Sequence, residues 1–145
     1  MMLFLLLAVL AGAMLPVQTG VNVQLRGLLG QPLAAALVSF LVGTLGLVVV
    51  VAMLRVPLPV GTAWSRGTWW HWSGGLLGAA YIVGTVVLAP RLGAATLIAA
   101  LVAGQMIASL IVDHYGWVGF AEHAISPVRL AGAALIVAGV VLVRR

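Results

Sequence analysis

Between Arg91 and Asp113 the chain runs for about 20 apolar or small residues without a charge, and at 1.5 Å per helical residue that is about 30 Å, the thickness of a bilayer's hydrocarbon core. The stretch RLGAATLIAALVAGQMIASLIVDHYG (Arg91–Gly116) therefore predicts a membrane-spanning helix. A plain anchor has no need of polar groups. This helix carries Gln105 and Ser109, four residues apart and so on one face, and Asp113 continues that face one turn later. A side-chain amide in lipid needs a partner, so the face is expected to point into protein or a water-filled cavity. Small residues at Ala95, Ala99, Ala103, Gly104 and Ala108 leave room for another helix to approach.

Four further apolar segments accompany it, giving spans at about residues 3–21, 33–54, 73–89, 93–112 and 128–143. In the first, Ala11-Gly12-Ala13 resembles a signal-peptide cleavage site, but no Lys or Arg precedes the apolar run, which continues through Leu15 and Val17. An uncleaved span is expected. Pro16 removes a backbone donor there and frees a carbonyl, so it is expected to act as a hinge. Gln18 and Asn22 share one face just beyond it, either as an interfacial helix end or as a wall of a transport cavity. The segment from Gln24 to Pro32 reads as a turn.

Ser39 and Gly43 form a small-xxx-small packing pair in the second span, which Arg55, Pro57 and Pro59 stop. The cluster Trp69-Trp70-His71-Trp72 marks a headgroup boundary, with Trp72 the ring placed to turn inward onto a substrate. The third span ends at Pro90, and Gly74, Gly78, Tyr81 and Thr85 make one stripe, a packing groove followed by two hydroxyls. Asp113 to Pro127 reads as the longest loop. The last span has Gly132 and Gly139 on one face and no polar side chain in its interior, as expected of a packing or dimer helix.

Composition excludes most other classes. With 64% hydrophobic and 6% charged residues the chain leaves no room for a soluble domain, so residues 1–145 form one transmembrane domain of the all-α class in contact with lipid. Seven Arg stand isolated at segment ends, which is a membrane-flanking pattern and not a nucleic-acid footprint. No cysteine is present to form disulfides or bind metal. Asp113-His114 and Glu122-His123 are acid-histidine pairs in one loop, but nothing fixes them around an ion, so no metal and no cofactor are expected. No nucleophile elbow, phosphate loop or paired catalytic carboxylates occur, so an enzyme is not expected.

Counting sides across five spans puts Arg55, Arg66 and Arg129 with the amino end and Arg26, Arg91, Arg144 and Arg145 opposite. Three against four is no orienting bias. A chain without bias inserts both ways, and two opposed copies reproduce the inverted repeats of transporters as an antiparallel homodimer.

The segments PVQTGVNVQLRGLLGQPLAAALVSFLVGTLGL, GGLLGAAYIVGTVVLAPRLGAAT, AGQMIASLIVDHYGWVG and RLAGAALIVAGVVLV closely resemble the YdcZ-like family of the drug/metabolite transporter superfamily. The resemblance covers nearly the whole chain in order. It implies a five-helix, multi-pass protein of the bacterial inner membrane, often of dual topology, in a superfamily of small-molecule exporters. The resembling segments include Gln18, Asn22, Tyr81, Gln105, Ser109 and Asp113, the polar faces read above. The expected mechanism is alternating access between two inverted protomers, with a substrate of unknown identity held by Gln18, Asn22, Tyr81, Gln105, Ser109 and Trp72. Related small multidrug resistance transporters exchange protons for cationic drugs at an acid in the first helix. That helix has no acid here, which leaves Asp113 or His114 for proton coupling, or else for loop capping or ion pairing. A small-solute channel or an accessory subunit of another membrane protein are the alternative roles for the same polar faces.

Overall fold

The computed structural model describes residues 1–144, which contain helices and turns and no strand; Arg145, of the terminal Arg144-Arg145 pair, lies outside the described residues. Helix α1 spans Met2–Leu29, built of Leu, Val and Ala with Pro16 inside it. It runs through Gln24–Leu29, where the sequence predicted a turn. Gly27 stays helical, and only Gly30 takes the left-handed conformation (φ 75°) that a glycine tolerates, donating its N–H to the Arg26 carbonyl at 2.8 Å. The turn is thus Gly30-Gln31, after which α2 (Pro32–Met53) starts on a proline whose missing N–H costs nothing at that position.

Arg55, with φ 50°, terminates α2 ahead of Pro57. A short helix α3 (Val60–Arg66) lies in what the sequence read as loop. Thr68 then caps a 3-10 turn over Trp69–Trp72, with Thr68 and His71 bonded reciprocally. Helix α4 (Gly74–Leu92) passes Pro90, which the sequence reading took as its end. Helix α5 covers Ala94–Tyr115, and α6 covers Pro127–Val143, its first turn capped by Ser126 accepting from the Arg129 N–H at 3.3 Å.

Four segments are long and apolar enough to cross a membrane: α1, α2, the 3-10 turn with α4 (Trp69–Leu92), and α5. The expected fifth, α6, is apolar but has only 17 residues, about 25 Å of helix. Large apolar side chains such as Leu7, Val42, Leu76 and Leu135 are exposed all along these helices. Exposure on that scale suits a bilayer and not water.

The chain forms two compact units, Met1–Pro90 and Arg91–Arg145. In the first, α1 packs on α2, where Ala35 and Ala36 are buried. Helix α4 of the same unit meets α2 at Gly78, where an added Cβ would sit 3.3 Å from the Phe40 ring. We expect Gly78→Leu to force α4 off Phe40 and cost about 1–3 kcal/mol. Thermal unfolding in detergent checks this, and Phe40→Ala in the same chain should recover part of the loss. In the second unit α5 packs along α6, with Leu97, Ala103, Leu110 and Ala133 buried.

Candidate functional site

Three polar residues of α1, Thr19, Asn22 and Arg26, recur at steps of three and four and so form one face. Thr19 and Asn22 are buried, at 7% and 3% relative exposure, in a helix otherwise mostly exposed. Arg26 is half-buried, and its Nη1 donates to the Val86 carbonyl of α4 at 3.1 Å. The reason lies four residues on. Pro90 has no N–H, so the Val86 carbonyl lacks its helical donor, and the guanidinium takes that place. Beside it Thr85 is buried, its hydroxyl donating to the Ile82 carbonyl at 2.8 Å.

The residues predicted from sequence divide around this cluster. Asn22 belongs to it, one turn before Arg26. Tyr81 is half-buried one turn before Thr85, while Gln18 is exposed beside Thr19. Trp72 stands apart, since 14 residues of mostly helix, about 20 Å, separate it from Val86. Its ring lies 5.3 Å from that of Trp64 and against Gly67, in a groove shared with Ala63, Arg66 and His71. In the second unit Gln105 and Ser109 are exposed on α5. Of the expected packing residues, Ser39 is half-buried, whereas a Cβ at Gly43, Gly74, Gly132 or Gly139 would meet nothing within 4 Å in this chain. Sequence reasoning missed Thr19 and Arg26. The signal available was a proline four residues after Val86, which frees a carbonyl that some donor has to reach.

Asp113 and His114 close the other end of the second unit. Asp113 pairs with Arg129 at the start of α6, and Arg129 also donates to the His123 carbonyl at 2.9 Å. The His123 N–H returns to the Asp113 carbonyl at 2.7 Å, and His114 Nδ1 accepts from the Ile125 N–H at 3.4 Å. These bonds tie the loop after α5 to the helix ends. Both charges are partly exposed (33% and 24%), so Asp113→Asn should cost only about 1 kcal/mol of coupling to Arg129. A double-mutant cycle with Arg129→Gln, read by thermal unfolding, measures it. Among the described residues no three His, Asp or Glu side chains gather as a metal site.

Helices of spanning length, an apolar exterior and polar groups confined to short stretches of a few helix faces define a multi-pass integral membrane protein. Residues 3–142 match the family described as "Putative inner membrane exporter, YdcZ". "Inner membrane protein YdcZ" of Escherichia coli (strain K12) is 33% identical over 140 residues, which is 93% of this chain and 90% of that protein. The chain belongs to this YdcZ family of inner-membrane exporters, as its motifs led us to expect, and is a multi-pass protein of the inner membrane. No solved structure matches it.

Proposed function

We propose that the chain exports a small molecule by alternating access at the interface of two oppositely oriented copies. The observation that carries this reading is the exposure of Gln18, Gln105 and Ser109 within apolar helices. Lipid offers these groups no hydrogen-bond partner, whereas a second copy or a wet pathway does. The open faces at Gly43, Gly74, Gly132 and Gly139 are flat enough for helices of that copy to approach. The balance of three Arg against four leaves insertion undirected, so both orientations are available from one chain. Substrate contacts fall to Gln18, Asn22, Tyr81, Gln105 and Ser109, with Trp72 nearer a mouth and Pro16 as the hinge of α1.

Single-cysteine labelling from each side of intact cells tests the arrangement, because the chain has no native cysteine. Cysteines at Leu28 and Thr62 are each expected to label from both sides in comparable fractions. Labelling of each from one side alone would remove the opposed pair.

A further inference from the structure

We propose that Arg26 is an oxyanion-binding residue, with Asn22 and Thr19 beside it, and that the exported molecule is therefore an anion carrying a carboxylate or phosphate group. Calling the ligand the cargo rests on the export reading above; the site itself does not. The first argument is the charge inventory. The chain has two acidic residues, Asp113 and Glu122. Asp113 is paired with Arg129, and Glu122 is exposed in the loop after α5. Among the described residues the one carboxylate within a spanning helix, Asp113 near the end of α5, is already taken by Arg129, which leaves none to receive a cation. Arg26, by contrast, is a half-buried cation whose partner among the described residues is a neutral backbone carbonyl. A guanidinium drawn out of water is poorly compensated by a neutral acceptor, and an oxyanion offers it a bidentate pair.

The second argument is independent of charge. Thr19 and Asn22 are both more than nine-tenths buried, and neither side chain makes a hydrogen bond among the described residues. No fully enclosed side-chain polar atom there lacks a partner, so these two groups keep a thin opening to their surroundings. Buried donors left unmade are costly in a static fold and useful in a site that a ligand completes. An amide one turn and a hydroxyl two turns before a guanidinium supply the neutral donors around an oxyanion.

The Val86 carbonyl is then a stand-in acceptor. It holds Arg26 while the site is empty and is released when an anion arrives, which links binding to the Pro90 break in α4. Replacing Pro90 by Ala restores the N–H that the carbonyl lacks and removes this competitor.

Binding to the purified full chain in dodecyl maltoside tests the proposal separately from transport. Thermal unfolding is followed at constant ionic strength against benzoate, succinate, inorganic phosphate and, as a cation, tetraphenylphosphonium. At least one anion should stabilise saturably and the cation should not. Arg26→Gln should weaken that anion at least tenfold and Arg26→Lys about tenfold, whereas Pro90→Ala should tighten it several-fold. The last variant keeps the test decisive if Arg26→Gln fails to fold. Equal stabilisation of the wild type and Arg26→Gln, an unchanged affinity in Pro90→Ala, or no response to any anion would overturn the site. The same unfolding in phosphatidylcholine nanodiscs, with and without phosphatidylglycerol, separates the sources. An Arg26-dependent effect of phosphatidylglycerol alone keeps the oxyanion site but overturns its assignment to cargo. Anion binding without any transport would count against the export reading and leave the site standing.

Discussion

Two variants pushed to opposite orientations are each expected to lose export at least tenfold, and producing both in one cell is expected to restore it. The side that carries Arg55 and Arg66 gains charge by Leu58→Arg and Thr62→Arg, while Arg91→Gln removes one from the other side. Three against four becomes five against three. The opposite variant takes Leu28→Arg, Gln31→Arg and Arg66→Gln, giving two against six. All of these positions are exposed, so the changes leave packing alone and act on insertion. Orientation follows the Arg and Lys excess in short loops, and these loops are a few residues long at Gly30-Gln31 and at Gly93. With distinct tags, each variant should copurify with the other and not with itself. Full export by either variant alone would exclude the opposed pair and leave a parallel assembly or a single-chain pathway.

Much of the architecture was legible because lipid imposes it. A run of about 20 apolar residues has few options other than a spanning helix, so the first four spans were found from composition and length. The ends were harder. Gln24–Leu29 reads as a turn because it holds Gly27 and Arg26, yet Leu25, Leu28 and Leu29 keep the helix going until Gly30 breaks it. Pro90 reads as a stop, but the last residues of a helix tolerate a proline when another donor serves the freed carbonyl. That donor is 60 residues away in sequence, and no local pattern announces it. The same gap explains the site. Helical spacing puts Gln18 and Asn22 near one face, but a few tens of degrees around α1 separate an exposed amide from a buried one, and only packing decides which is which. Asp113 shows the converse. Its position near a span leaves proton coupling, loop capping and ion pairing all open, and only the fold supplies the partner, Arg129 across the loop.

Replacing Asn22 by Leu is expected to stabilise the protein while abolishing anion binding and export. Asn22 is 3% exposed and makes no side-chain hydrogen bond among the described residues, so its amide keeps only a thin opening to its surroundings and gains no protein partner for the water it gives up. A branched apolar side chain of similar size removes that penalty, about 1–3 kcal/mol, and adds contacts in the same space. A residue kept for packing would behave in the opposite way, losing stability and function together. The pairing of gain and loss is therefore the signature of a binding group held in a costly state for its ligand. Asn22→Asp extends the argument. A carboxylate four residues before Arg26 reaches the guanidinium along the helix, satisfies it internally, and should exclude the external anion at least tenfold without unfolding the chain. Thermal unfolding with and without the stabilising anion reads both variants in one experiment. A destabilised Asn22→Leu, or an Asn22→Asp that still binds anion as the wild type does, would reduce Asn22 to a packing residue and leave Arg26 as a cap on the Pro90 break.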